Sequence, residues 1–207
     1  MTSEEAVWPE ATERLATDPS FGPLVAEVGP VRLRPPRGSP FASLVAAITY
    51  QQLAGRAART IHGRVVEVLD HDVRPATALA AEGAALRAAG LSAAKLAAIR
   101  DLAEKVTSGE VRLDGFETAT DGEIRDRLTR VKGIGPWTAD MFLIFDLRRS
   151  DVWPVGDLGV RNGLARVLGL SEPPTPEEAR LMGTGYRPWR SAVAWYCWRA
   201  VEVIPPE

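Results

Sequence analysis

A single cysteine, Cys197, and two histidines, His62 and His71, are all that this 207-residue chain offers of the residues that most often hold metals or form cross-links. A disulfide framework, a zinc knuckle and a four-cysteine iron–sulfur site within one chain are thereby excluded. The apolar neighbours of Cys197 mark it as a buried core thiol. The histidines have no metal-ligand partners at useful spacing and read as surface residues. No stretch approaches a membrane-spanning length without a charge, so no membrane partner is expected. The acidic N-terminus contains Pro9 and lacks a basic region followed by an apolar run, so no signal peptide is expected either. The default location is cytoplasmic.

An excess of positive charge is also missing. Lysine and arginine number 25 against 27 acids, a formal net charge of −2. The distribution is more informative than the total. Residues 1–30 hold six acids (Glu4, Glu5, Glu10, Glu13, Asp18, Glu27) and one base, Arg14. The remainder carries 25 − 1 = 24 basic residues against 27 − 6 = 21 acidic ones, or +3. A limited footprint on phosphates fits that balance better than a strong electrostatic clamp.

Period-2 alternation is rare and alanine is abundant, so the pattern is helical nearly throughout. Residues 1–20 read as a short helix interrupted by Pro9, and Val31 to Gly38, rich in proline and arginine, as a connector. Ser39-Pro40 supplies an N-cap and a first-turn proline for an apolar helix from Phe41 to about Tyr50. A second helix runs from about Arg56 to Leu69. Helical stretches follow over Pro75 to Ala89 and Ala93 to Val106, the latter capped by Ser92. Asp121 caps a short helix ending near Arg130. Further helices are expected over Gly135 to Leu147, Asp157 to Leu168, from Thr175-Pro176-Glu177-Glu178 as a capping box, and from Pro188 to about Val203. The fold class is all-α, with residues 1–38 as an N-terminal segment and connector and 39–207 as the core.

Three segments carry chemistry. In Leu128-Thr129-Arg130-Val131-Lys132-Gly133-Ile134-Gly135-Pro136-Trp137-Thr138-Ala139, a helix ends in a Gly-Ile-Gly turn and a second helix starts at once. The glycines permit the turn and a close backbone approach. The new helix presents free N–H groups and a positive dipole end, an anion site suited to a DNA phosphate. Lys132 beside the turn is either a phosphate contact or a solvated charge. In the second segment, Val152-Trp153-Pro154-Val155-Gly156-Asp157, the aspartate begins a helix and on its own reads as an N-cap. The third segment, Arg187 to Trp198, is rich in tryptophan.

Together these segments, spread over about residues 40–200, resemble the helix-hairpin-helix (HhH-GPD) superfamily of DNA glycosylases. Within it they resemble the alkyladenine branch typified by bacterial 3-methyladenine DNA glycosylase II. The resemblance implies two helical subdomains around a cleft and a monomeric enzyme acting on duplex DNA that contains a damaged base. It implies excision of alkylated purines, the 3-methyladenine and 7-methylguanine class, in base excision repair by base flipping and hydrolysis. A cytoplasmic, nucleoid-associated location follows from that activity. Asp157 matches the catalytic aspartate that faces the cleft. Bifunctional relatives place a Schiff-base lysine two residues after the second glycine; here that residue is Trp137, so no lyase activity is expected.

Lys132, Gly133, Ile134 and Gly135 match the DNA-binding hairpin, whose backbone carbonyls can also hold a sodium or potassium ion. No other cofactor is implied. Trp137, Met141 and Trp198 match base-pocket positions, where indole faces suit a cationic methylated base. Met141 departs from an aromatic residue in some relatives. Trp189 and Trp195 read as core. Tyr50-Gln51-Gln52-Leu53 resembles the intercalation loop, with Gln52 or Leu53 as the wedge that fills the vacated duplex. Arg56 and Arg59 on the following helix fit phosphate contacts or a solvated face equally. Asp146 and Asp151 are expected on the surface. Two other readings stand beside the main one: a glycosylase for hypoxanthine or uracil, and a non-catalytic module that binds damaged DNA.

Overall fold

The computed structural model describes residues 4–36, 38–53 and 55–201. Among these the chain forms twelve α-helices and one pair of two-residue strands. It divides into two compact units. One joins Met1–Pro35 to Leu143–Pro205, and the other is Pro36–Phe142.

In the first unit, β1 (Glu5–Ala6) pairs antiparallel with β2 (Arg32–Leu33). Neither strand shows in the sequence, because two residues are too few for a periodic signal. Pro9 begins α1 (Pro9–Ala16) rather than interrupting a helix, a position where its missing N–H costs nothing. The helix α2 (Gly22–Val28) follows.

The second unit contains α3 (Pro40–Tyr50), α4 (Gly55–Val68), α5 (Pro75–Ala80), α6 (Gly83–Ala88), α7 (Ala93–Ser108), α8 (Asp121–Leu128) and α9 (Pro136–Met141). The single helix expected over 75–89 is two. Ala81 turns extended, and the Arg100 guanidinium takes the Leu79 and Ala81 carbonyls that a continuous helix would have used. The cap of α8 is Thr120 rather than Asp121. Its hydroxyl accepts from the Glu123 amide at 3.2 Å while the Glu123 carboxylate accepts the Thr120 N–H at 2.8 Å.

The helix expected over 135–147 runs from Pro136 to Asp146, with α9 passing into a π-helical turn at Phe142–Asp146. The first unit then resumes with α10 (Leu158–Leu168), α11 (Pro176–Met182), a 3₁₀ turn at Gly183–Tyr186 and α12 (Arg190–Ala200). Thr175 makes the capping box expected of it with Glu178. The final helix starts at Arg190 rather than Pro188, after a cis Arg187–Pro188 bond. Glu202 and Val203, included in the expected helix, lie outside the described residues.

The packing of α10 on α12 organises the first unit. A Cβ built on Gly163 would stand 2.0 Å from the carbonyl oxygen of Cys197, and one on Gly159 would stand 3.1 Å from Cδ1 of Trp198. These glycines are four residues apart and share one helix face; at Gly163 the two backbones meet directly, and at Gly159 the Trp198 ring fills the space. Between them α12 buries Val193, Tyr196, Cys197 and Trp198 almost completely. Burial, and then the negative charge of Asp157, hold the Cys197 thiol far above its ordinary range, which leaves it inert.

Two glycine substitutions separate this contact from ordinary helix propensity. Gly163→Ala should cost at least about 3 kcal/mol, because the obstructing atoms are backbone and cannot swing aside. Gly63→Ala, mid-helix in α4 with nothing within 4 Å of the added methyl, should stabilise by about 0.5–1 kcal/mol. Urea unfolding of both variants measures the difference.

Candidate active site

The loop that delivers Asp157 is fixed from both sides. Before it, Ser191 at the start of α12 accepts the Val152 N–H at 2.9 Å and donates to the Arg149 carbonyl at 2.6 Å. Asp151 takes a two-pronged bond from Arg190, at 2.6 and 2.9 Å, with Arg187 at 3.2 Å. The surface position expected of Asp151 is thus a half-buried ion pair, and Asp146 is half-buried as well. The Trp153 indole is buried and donates to the Ala179 carbonyl at 2.8 Å. The chain then turns, with the Asp157 N–H bonded to the Pro154 carbonyl at 2.9 Å.

Asp157 is the N-cap of α10, and its Oδ1 accepts the Val160 N–H at 2.9 Å. The same oxygen accepts the Trp198 indole N–H at 3.1 Å. A carboxylate held by two donors on one oxygen has its rotation fixed, at the positive end of an eleven-residue helix that favours its charge. Beside it Leu158 is 57% exposed, a large apolar side chain in water that no motif marks.

The hairpin lies in the second unit, formed by α8, the turn and α9. Arg125 bonds to Asp140 across its two helices. Burial raises the Asp140 pKa, with the Arg125 bond opposing. Gly133 has φ +81°, and a Cβ there would meet the Ala98 methyl at 3.0 Å, so the turn needs glycine for both reasons. Val131 and Ile134 are buried and anchor the turn. Ile134 can therefore meet a ligand only through its backbone, whereas Lys132, Gly133 and Gly135 are exposed.

Three side chains outside the hairpin hold it. Asp101 accepts the Lys132 N–H at 2.7 Å, Lys105 donates to the Arg130 carbonyl at 2.5 Å, and Gln51 Nε2 donates to the Gly133 carbonyl at 2.9 Å and the Thr138 hydroxyl at 3.1 Å. Asp101 and Lys105 carry no motif signal, and Gln51, though part of the wedge-loop motif, carries none for this contact, since each acts across 25 to 87 residues of sequence.

The wedge candidates follow Gln51. Gln52 is exposed with φ +56°, and Leu53 is half-buried with its N–H on the Tyr50 carbonyl at 3.2 Å. Lys95 ties the loop's base by donating to the Thr49 and Gln51 carbonyls at 2.8 and 2.7 Å. Burial lowers the Lys95 pKa. Arg56 and Arg59 are exposed on α4. His62 is half-buried against Tyr50, ring centroids 5.9 Å apart, rather than on the surface as expected. Among the described residues no cluster of three or more His, Cys, Asp or Glu could hold a metal. None of their helices is long and apolar enough to cross a membrane.

The three residues expected to line a base pocket have different surroundings. Trp137 is half-buried, Met141 is 5% exposed and Trp198 is 2% exposed. Trp198 stacks on Phe145 at 5.8 Å and gives its N–H to Asp157, so in this structure it supports the carboxylate rather than offering an open face. Trp195 is core, with Arg199 over its ring at 4.7 Å, and Trp189 is the half-buried N-cap of α12.

Residues 45–185 match the HhH-GPD superfamily of base excision DNA repair proteins. DNA-3-methyladenine glycosylase 1 of Schizosaccharomyces pombe is 34% identical over 90% of this chain and 84% of its own length. A 3-methyladenine DNA glycosylase from the same yeast, solved in complex with abasic DNA, superposes with a TM-score of 0.83 at 31% identity, covering 96% of this chain and 98% of that one. The crystal structure of a DNA-3-methyladenine glycosidase from Bacillus halodurans gives 0.81 at 33% identity, covering 96% and 92%.

The clamp on the hairpin has a pH signature. Burial pushes the Asp101 carboxyl up, but the Lys132 amide and the Lys105 ammonium outweigh it and hold the pKa below the ordinary value. A carboxylate lowered in the folded state contributes stability that is fully present above its unfolded pKa, about 3.9, and is lost as the pH falls through the folded one. The Lys132 amide proton should therefore hold its NMR shift from pH 8 to 5 and titrate only below about pH 3.9. In Asp101→Ala that titration should be absent.

Proposed function

This chain belongs to the HhH-GPD superfamily of base excision DNA repair proteins, and on that premise we propose that it is a monofunctional DNA glycosylase for alkylated purines. Its substrates are duplexes carrying 3-methyladenine or 7-methylguanine, on which it acts as a monomer by flipping the base and hydrolysing the N-glycosidic bond. The observation that carries this reading is the Asp157 carboxylate, fixed by the Val160 amide and the Trp198 indole. The chain also matches 3-methyladenine glycosylases over nearly its whole length.

The chemistry follows from charge. As the bond between purine and deoxyribose breaks, its electrons stay with the base and quench the positive charge that N-methylation placed there. Such a leaving group needs little help from a general acid, so one carboxylate suffices. Positive charge meanwhile builds on the sugar, and a preorganised anion stabilises it. Asp157 does this, orients the water whose oxygen bonds to C1′, and receives its proton. Trp137 occupies the position where bifunctional relatives carry a Schiff-base lysine, which supports hydrolysis without strand cleavage.

Lys132, Gly133, the Ile134 backbone and Gly135 bind a phosphate at the N-terminal side of α9. A sodium or potassium ion fits the same turn. The Gly133 carbonyl, bonded to the neutral Gln51 amide, is the better candidate ligand, since the Arg130 carbonyl already holds the Lys105 ammonium, which would repel a second cation. Bound there, the ion would add positive charge facing the phosphate. Gln52 is the better wedge, since it projects into solvent while Leu53 is partly covered.

An end-labelled duplex treated with a methylating agent tests the proposal, with free base and strand breaks assayed separately. The wild type should release 3-methyladenine without breaks before alkali. Asp157→Asn should release it at least about 100-fold more slowly while melting within a few degrees of the wild type, because asparagine caps a helix equally well. A wild type that binds the duplex but releases no methylated base would overturn the reading in favour of a binding module or of another lesion such as hypoxanthine or uracil.

A further inference from the structure

Helix α7 touches both of the segments proposed to meet DNA. Near its N-terminus, Lys95 donates to the Thr49 and Gln51 carbonyls at the base of the wedge loop. About two and three turns later, Asp101 and Lys105 hold the hairpin through the Lys132 amide and the Arg130 carbonyl. The Gln51 side chain closes the circuit by reaching from the wedge loop to Gly133 and Thr138 of the hairpin. All of these bonds lie inside one compact unit.

The circuit surrounds a strained residue. Gln52 has φ +56°, a conformation that a non-glycine residue keeps only where neighbouring contacts impose it. The carbonyls of Thr49 and Gln51, on either side of Tyr50, are both held by the Lys95 ammonium, and the Gln51 side chain is held by the hairpin. The backbone entering Gln52 is thus fixed at both its main chain and its preceding side chain.

We propose that Gln51 and Lys95 are positioning residues that lock the left-handed Gln52 to the phosphate-binding hairpin, so that gripping the phosphate and inserting the wedge occur in one rigid register. This rests on the glycosylase reading for its consequence in base release. For its consequence in DNA distortion it needs only that the chain binds duplex DNA. A hairpin that grips the backbone fixes where the protein sits along the strand. The wedge is useful only at a set offset from that point, because a displacement of about 1 Å is enough to cost roughly 100-fold in a positioned reaction. The Gln51 amide sets the offset directly, and Lys95 holds the main chain from which Gln51 departs.

The test combines Gln51→Ala, Gln51→Glu, Lys95→Met and Gln52→Ala with the double variant Gln51→Ala/Gln52→Ala. Gln51→Glu keeps the shape but turns a carboxylate oxygen toward the Gly133 carbonyl, and it stands in if the alanine variant folds poorly. Two readouts are taken on saturating duplex: release of methylated base, and fluorescence of a 2-aminopurine beside an abasic-site analogue, which reports unstacking by the wedge. Duplex affinity and melting temperature are measured alongside.

Gln51→Ala is expected to lose roughly 10- to 100-fold in base release and most of the fluorescence rise, with duplex affinity within about 3-fold because the phosphate contacts remain. Adding Gln52→Ala should then change little, since a wedge out of register is already without effect. Lys95→Met should follow Gln51→Ala in direction.

Full additivity of the two substitutions, or a wild-type signal and rate in Gln51→Ala, would overturn the coupling and leave the glycosylase reading intact. A wild type that unstacks 2-aminopurine, loses that signal in Gln51→Ala and releases no base would overturn the glycosylase reading and leave the coupling intact. Failure of the wild type to bind duplex would overturn both.

Discussion

The contact on which the candidate catalytic group depends is the close approach of α10 to α12 at Gly163 and Gly159. At Gly163 the backbone of α12 comes close, and at Gly159 the absent side chain leaves room for the Trp198 indole that reaches the Asp157 carboxylate. A wider helix pair would need intervening side chains and would leave Asp157 as an ordinary cap held by one amide. The interaction is inexpensive in sequence, needing two glycines and one tryptophan. It is demanding in geometry, since any side chain at residue 163 meets backbone. The same packing buries Cys197 and Tyr196, whose hydroxyl donates to the Gly29 carbonyl at 2.9 Å and so ties α12 to the end of α2.

The second unit solves a different problem. Its hairpin turn must leave backbone groups facing outward, so it cannot be stabilised by covering them. It is held instead from beneath, by buried Val131 and Ile134, and from the side, by Asp101, Lys105 and Gln51. Each of these bonds satisfies a main-chain group that the turn itself leaves over.

Features legible in the sequence were those fixed by neighbouring residues. Ser39-Pro40, Ser92 and the Thr175–Glu178 box mark helix starts because capping is a three-residue interaction. The Gly-Ile-Gly turn and Asp157 after Pro-Val-Gly are legible for the same reason. Most of what failed had long-range causes, the Thr120 cap being the local exception. The split of the helix over 75–89 depends on Arg100, and the burial of Trp198 on a packing partner 41 residues away. Thr120 was passed over for Asp121 although both are good caps, and only the reciprocal bond with Glu123 decides between them. Lys95, Asp101 and Lys105 have no local signature, because a lysine or aspartate on a helix is ordinarily solvated, and Gln51 is legible only as part of the wedge loop. The acidic N-terminal residues likewise read as a separate segment, whereas residues 4–35 pack with residues 143–201 through bonds such as that from the Trp8 indole to the Arg148 carbonyl at 3.1 Å.

The sealed position of Cys197 has a practical side. With its sulfur in the core and its proton firmly held, the chain presents no reactive thiol of its own among the described residues. A cysteine introduced on an exposed face, on α4 or in the loop after Tyr50, would be the one site at which a maleimide dye attaches. The molecule is in that sense already a cysteine-free background, ready for distance measurements between chosen points without first removing a native residue.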